Sequence, residues 1–452
     1  MSKRTEELLK WDQEHVVHSR CPIGENNGII LDRGKGIYLY DTEGKEYIDG
    51  FSQLVCINLG YGQEEICEAV REEMERLPFG SLFYGFSNEA NIKCAQKLSE
   101  IVPKGLDHYN FTSGGSESVD LALRLARLYW SVKGRSKYKY IGLYDSYHGV
   151  GSGLTLTAVG KGHYERGMGP PMPGCLRIPS YYCYRCFFGL EYPGCSIRCA
   201  RFLEDVIERE GADHVAAFIA EPVLGGGGRI TPPREYWPMV RDICTKYEVL
   251  LIADEVQTGF GRTGKMFAVE HWGVTPDLMA MAKGITSGYI PFGAIAFSNE
   301  IWETLKGQDI CAYTYSGHPA CSAAAVKAME IYKRDKVVEN AARVGKYTLE
   351  RLKGILEPLP YVGEIDGLGL MLSLEIVADK ATKRLFPKEA QVMRKIYNSC
   401  LESGLYIITN SIEGSPSDKI NFCPPLIIST EEIDKALDIL HSAIFKVFSQ
   451  QK

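Results

Sequence analysis

The sequence predicts an α/β protein, a mostly parallel sheet with helices on both faces, joined to a smaller α+β lobe built from the two ends of the chain. Three observations carry this. Between about residues 108 and 283, apolar strand-like runs alternate with stretches of helical periodicity. Three of the later runs end at an ionisable residue: Glu221, Asp254 and Lys283. In open parallel sheets, ligands sit outside the carboxyl ends of the strands. From about residue 356 the pattern changes to strand, helix, strand, helix. At 452 residues the chain exceeds one core of usual size, so two or more lobes are expected.

Taken in order, residues 1–20 read as a charged amphipathic helix, with Leu8, Leu9, Trp11 and Val16 near helical spacing. Residues 28–51 read as short strands, with Asp41-Thr42-Glu43-Gly44 as a turn. Helices are expected over 63–76 and 87–102. In HYNFTSGGSES a strand ends at Phe111, and Val119, Leu121, Ala122, Leu125 and Ala126 begin a helix. A Gly-Gly-Ser turn there presents free N–H groups that suit a phosphate; the same turn also reads as a plain helix cap. KYIGLYDSYHG is another strand running into a Gly-rich turn. After an insert over 181–200 come a helix (199–210), a strand (Val215 to Ala220), a helix (235–247) and the strand ending at Asp254. Two helices fill 318–355. Then follow a strand (361–376), a helix (386–403), strands (405–409, 419–422) and a helix (430–448). The predicted organisation is 1–60 and 331–452 as two parts of a small domain, with 61–330 as the large domain between them.

Composition excludes several functions. Net charge is −6, 45% of residues are hydrophobic and 24% charged, as in an ordinary globular protein. No Lys/Arg run marks a nucleic-acid partner. No apolar run approaches the ~18–20 residues of a membrane span, and the polar N-terminus lacks a secretory core, so a cytoplasmic protein is expected. The 14 cysteines then read as free thiols. Within the insert, Cys183, Cys186, Cys195 and Cys199 form CxxC followed by CxxxC. Zinc or iron–sulfur ligation is one reading. The second pair departs from the usual knuckle spacing and the flanks are aromatic, so a metal-free packed insert is the expected one.

Lys283 ends the apolar run LMAMA, and Asp254 ends VLLIA. A lysine at the end of a buried strand loses its charge readily and can attack a carbonyl. Such a lysine and carboxylate together fit a pyridoxal 5′-phosphate site, the lysine for covalent attachment and the carboxylate to keep the pyridine nitrogen protonated. Here the chain resembles the class III aminotransferases, also called omega or subgroup II, which are enzymes of fold type I. The resembling segments are TSGGSES (112–118), YHG (147–149), AEPV (220–223), ADEVQTGFGRTG (253–264), AKG (282–284), TYSGHP (314–319) and PPLII (424–428), in the family's order from about residue 35 onward.

The resemblance implies a large domain with a seven-stranded sheet and assigns roles. Lys283 carries the cofactor and moves the proton; Asp254 stabilises the ring nitrogen. Gly115 and Ser116 hold the phosphate, Tyr147 stacks on the ring with Val256 on its other face, and Gln257 reaches the phenolic oxygen. Thr314 reaches the phosphate of a neighbouring subunit, so a homodimer with shared sites, or a dimer of such dimers, is expected. His148 reads as a structural histidine.

Two departures stand out. Many members hold a substrate carboxylate with an arginine shortly before PPL; here that position falls at Thr409/Asn410 or at Asn421. Lys419, two residues from Asn421 on a strand, could supply a point charge. Glu221, which pairs with that arginine in relatives, would instead meet a cationic substrate group or another basic residue. At the other edge, Val55 stands where related amine transaminases often carry tryptophan, with Phe51, Phe83 and Tyr84 as pocket-lining or core residues. The expected reaction moves an amino group from an omega-amine or small amino acid (taurine, β-alanine or a diamine) to a keto acid, pyruvate rather than 2-oxoglutarate. A racemase or epimerase, and a lyase acting on a phosphorylated amino alcohol, would share the same lysine and aspartate. A cofactor-binding regulator lacks any attached DNA-binding module.

Overall fold

The structure, a computed structural model, describes residues 1–158, 170–310, 312–410 and 417–449. Three short antiparallel strands come first: β1 (Leu31–Lys35), β2 (Tyr38–Asp41) and β3 (Glu46–Asp49). The central sheet follows, with β4 (His108–Thr112), β5 (Lys139–Leu143), β6 (Cys175–Ile178), β7 (Val215–Ala220), β8 (Leu250–Asp254), β9 (Leu278–Met281) and β10 (Gly293–Phe297). Its order is β4-β10-β9-β8-β7-β5-β6, and only β10 runs antiparallel to its neighbours. Every residue of β7, β8, β9 and β10 is buried. That is the reason these strands read as continuous apolar runs: both faces are covered. Helix Gly115–Val132 covers one face with Val119, Leu125 and Trp130; helices Arg198–Glu210 and Tyr236–Lys246 cover the other with Leu203, Ile207 and Val240.

This topology places the ionisable residues. Strands β7, β8 and β9 are adjacent and parallel, so Glu221, Asp254 and Lys283 leave the sheet at one edge. The turns after β4 and β5, which carry Gly115-Ser116 and Tyr147-His148, open at the same edge.

The C-terminal strands are β11 (Val362–Leu368), β12 (Met371–Ile376), β13 (Leu405–Tyr406), β14 (Ile408–Asn410) and β15 (Lys419–Phe422). Two expectations need correcting here. The run 361–376 is a hairpin and not one strand, because Gly369 turns the chain at φ +55°, where a Cβ would strike the backbone of Thr263. The run 405–409 divides between two sheets: β13 lies parallel to β3, and β14 pairs with β15 in the antiparallel sheet β11-β12-β15-β14. The helix expected from 386 begins at Val392, and the N-terminal helix spans Lys3–His15. Trp11 on that helix is 66% exposed, so its apolar stripe is uncovered in the single chain. Strands β6 and β10 have no counterpart in the sequence reading. Among the described residues, no helix is long and apolar enough to cross a membrane.

Candidate active site

At the edge of the central sheet, Asp254 is buried and both carboxylate oxygens are engaged. Oδ1 accepts from the Val256 N–H at 3.1 Å, and Oδ2 meets His148 Nδ1 at 2.8 Å. Because a carboxylate only accepts, the ring proton sits on Nδ1. His148 is itself buried, held by its own N–H on Thr157 Oγ1 at 2.8 Å, and its Nε2 has no hydrogen-bond partner. Glu221 accepts the Tyr147 N–H on Oε2 at 2.9 Å and the Gly225 N–H on Oε1 at 3.0 Å. Burial pushes its carboxyl up to about 7; His148 pulls it back and Asp254 adds to the rise. Lys283 follows β9 in the left-handed region, at φ +49°. Burial lowers the affinity of its amine for a proton, against the pull of Cys56, Asp254 and Glu221 and with a push from Arg229. An amine so placed is a better nucleophile and base than an exposed lysine.

The helix Gly115–Val132 points its N-terminus into the same space and has no side-chain cap, so its first N–H groups are free for an anion. The close approach there requires glycine. A Cβ on Gly115 would lie 2.7 Å from Val256 Cγ1, and one on Gly149 would lie 2.6 Å from Ser116 Oγ. Gln257 packs under the next loop: a Cβ on Gly225 would lie 2.5 Å from its Oε1. One edge thus gathers an amine of lowered proton affinity, a buried histidine-backed carboxylate and an uncapped helix N-terminus.

The sequence model for "Aminotransferase class-III" matches residues 22–444. The chain belongs to the class III aminotransferases. It is 36% identical over 427 residues to a putrescine–pyruvate aminotransferase of Pseudomonas aeruginosa, covering 93% of this chain and 91% of that one. It is 37% identical over 456 residues to a diaminobutyrate–2-oxoglutarate transaminase of Halomonas elongata, with 98% and 96% covered. Among solved structures, a thermostable (S)-enantioselective omega-transaminase from Thermomicrobium roseum superposes with a TM-score of 0.92 at 40% identity, covering 100% and 99% of the two chains.

Enzymes of this class use pyridoxal phosphate, and the residues at the sheet edge fit it: an amine for attachment, a buried carboxylate, and a glycine-lined helix N-terminus. The remaining candidates divide. Phe51 and Val55 are buried in a small apolar cluster with Val223, Met371 and Cys423. Phe83 is half-buried, and Tyr84 is 96% exposed at φ +59°. Thr314 is also exposed, in the turn before helix Pro319–Arg334. Asn421 is buried in β15 with its Nδ2 on the Ile408 carbonyl at 3.3 Å.

Lys419 departs from its expected role as a free point charge. It is buried, paired with Glu364 Oε2 at 3.2 Å and lying over the Tyr182 ring, so its charge is already matched. Among the described residues Glu221 has no ion pair with a lysine or arginine; two backbone N–H groups hold it instead. In the aminotransferase's cysteine insert, Cys183, Cys186, Cys195 and Cys199 surround one small cavity as free thiols. Burial pushes Cys183 up to about 12 and Cys199 up to about 11, so both stay protonated at neutral pH. Among the described residues, no group of three or more His, Cys, Asp or Glu side chains could hold a metal ion. The insert works as a tie between lobes, with Tyr182 and Arg185 both on Glu375 and Lys383 Nζ on the Tyr184 carbonyl at 2.7 Å.

The sequence reading gave His148 a structural role but not its partner, because the His148–Asp254 bond joins segments that show no spacing signal. Arg229, which follows Gly225–Gly228, was not singled out.

Proposed function

We propose that this aminotransferase takes the amino group of an omega-amine or small amino acid and delivers it to a short keto acid, with pyruvate as the acceptor. The observation that carries the reading is Lys283, which follows β9 at the sheet edge where the neighbouring parallel strand β8 ends at Asp254, with its amine's affinity for a proton lowered by desolvation. The choice of pyruvate as acceptor draws support from the putrescine–pyruvate relative and from the absence of arginine at Thr409, Asn410 and Asn421.

In this reading Lys283 binds the cofactor and, once displaced by the donor amine, moves a proton away from the donor carbon. The cofactor, when bound, supplies an electron sink for the carbanion. Asp254 holds a proton at the ring nitrogen, and His148 fixes the Asp254 carboxylate by donating from Nδ1. Gly115 and Ser116 hold the phosphate, and Tyr147 and Val256 close the two ring faces and exclude water. Gln257 holds the phenolic oxygen. Glu221 fixes the Tyr147 turn through its backbone bond. Thr314 serves the partner's phosphate in a cytoplasmic homodimer, and the exposed aromatics Tyr84, Phe86 and Tyr315 suit such an interface. Residues 1–60 and 331–452 form the small domain around the large one at 61–330, an arrangement supported by the β3–β13 pairing.

Spectra of purified enzyme during addition of single amines, without keto acid, test the reading. Loss of the lysine-bound cofactor band with formation of the cofactor's amino form is the expected result. A band that shifts yet persists with every amine would replace this proposal with the racemase or lyase alternative.

A further inference from the structure

Among the described residues, Lys419, Arg262 and Arg229 lie buried on this side of the molecule, and two are accounted for. Lys419 has Glu364. Arg262 donates to the Leu370 and Pro424 carbonyls, to Ser52 Oγ and to Asn58 Oδ1. Arg229 has neither arrangement. It is 3% exposed, yet among the described residues no carboxylate pairs with it. Its Nη1 donates to the Gly225 carbonyl at 2.9 Å, its guanidinium lies 4.8 Å from the Phe51 ring centroid, and its Nε is buried without a partner. A guanidinium cannot shed its charge, and a buried charge without a counter-ion is strongly unfavourable.

The loop that carries Arg229 is held from both lobes. Leu224 and Ile230 exchange backbone hydrogen bonds at 3.0 and 3.1 Å, closing the loop at its base. Asn410 Nδ2 donates to the Gly226 carbonyl at 2.9 Å, and the Thr231 N–H donates to Asp366 Oδ2 at 2.9 Å. Gly227 sits against Asp145 and Gly228 against Lys419 Cδ, where side chains would clash. Arg229 adopts φ +58°, a conformation a non-glycine residue holds at a cost. The Gly225 carbonyl that receives it belongs to the residue whose N–H engages Glu221, and that residue packs on Gln257. The guanidinium is therefore tied through Gly225 to the Glu221 and Gln257 side of the site.

We infer that Arg229 is the receptor for the acid group of the substrate, the carboxylate or sulfonate of a short amino or keto acid, in place of the arginine absent at Thr409, Asn410 and Asn421. This rests on the aminotransferase reading above. A planar fork of N–H donors, backed by the Phe51 ring and rigidly mounted, matches an oxyanion in a way a lysine does not. It serves the keto acid in the second half-reaction. In the first it favours donors ending in an acid, such as β-alanine or taurine, over diamines, whose far ammonium it repels.

The test compares half-reaction rates of holoenzyme with β-alanine, taurine and the acid-free propylamine, in wild type, Arg229→Gln and Arg229→Lys. The kcat/KM ratio of acid to acid-free donor should fall about 100-fold in Arg229→Gln, chiefly through KM, and recover about 10-fold in Arg229→Lys. A parallel loss with all donors would overturn the inference and make Arg229 a packing residue. No amino transfer from any amine in the wild type would instead remove the functional reading. If Arg229→Gln fails to fold, wild-type competition decides: propionate or ethanesulfonate should bind at least ~10-fold more tightly than propionamide, and equal binding overturns the inference. Whichever anion binds better identifies the head group.

Discussion

The pocket has a floor and a roof, and they are built differently. The floor is the edge of the central sheet, where fully buried parallel strands end at Glu221, Asp254 and Lys283. The roof is loop and short strand: the left-handed turn Ser52–Val55, the glycine loop with Arg229, and the paired strands β14 and β15 with Asn410 and Asn421. The difference teaches where chemistry and selectivity reside. Strands hold the reacting groups by covering both faces; loops hold the discriminating groups by close backbone approach, which demands glycines and strained residues.

Substitutions in the floor should have the largest effects. Lys283→Ala should eliminate the visible band of bound cofactor and lower turnover by about 10⁴-fold. Absorbance and steady-state rates check this, and a variant keeping band and activity would place the chemistry elsewhere. Asp254→Asn should retain cofactor while losing about 100-fold or more in turnover; an unchanged rate would remove its role at the ring nitrogen. His148→Phe removes the donor to Asp254 Oδ2 and should lower turnover about 10-fold with cofactor still bound. A loss as large as that of Asp254→Asn would move His148 from positioning to direct participation.

Stability offers a smaller contrast. Glu255, beside Asp254, accepts from Val269 N–H and the Thr258 hydroxyl, and burial raises its carboxyl to about 7. The folded state therefore holds this proton more tightly than the unfolded state. Its contribution to stability falls as pH rises from the unfolded carboxyl range toward about 7. Glu255→Gln should reduce the loss of unfolding free energy between pH 5 and 8 by about 2 kcal/mol. Denaturant titrations at both pH values read it, and identical slopes in both proteins would show the group is not buried as a titrating acid. In the roof, Leu54 is 60% exposed at φ +65°. Leu54→Gly relieves that conformation against a larger unfolded-state entropy, so a net gain of about 0.5 kcal/mol is expected. A clear loss would show that the leucine packs against something in the assembled enzyme.

Much of the floor was legible in the sequence for one physical reason. A strand buried on both faces must be apolar throughout, so an ionisable residue at its end stands out. The span at Val215–Ala220 agrees with the sequence reading residue for residue. The roof was not legible, because its signals are pairwise. Lys419 looked free, since its partner Glu364 lies on β11, within a run that read as one strand. The residues 405–409 looked like one strand because neither apolar content nor periodicity reveals which sheet a residue joins; β13 and β14 part at Ile407. Arg229 was hidden by its setting, since a cation after four glycines has no local pattern that distinguishes a surface turn from a buried one.

The parallel pairing of β13 with β3 has a consequence for how the chain is made. Ile48 meets Leu405 and Asp49 meets Tyr406, so a ribosome releases the first partner long before the second exists. The central sheet can close from its own contiguous stretch while the leading segment waits, its edge strand unpaired and open to wrong associations. The leading segment therefore waits for its partner strand until residues 405–406 have been made, and this pairing is among the last long-range contacts the growing chain can form.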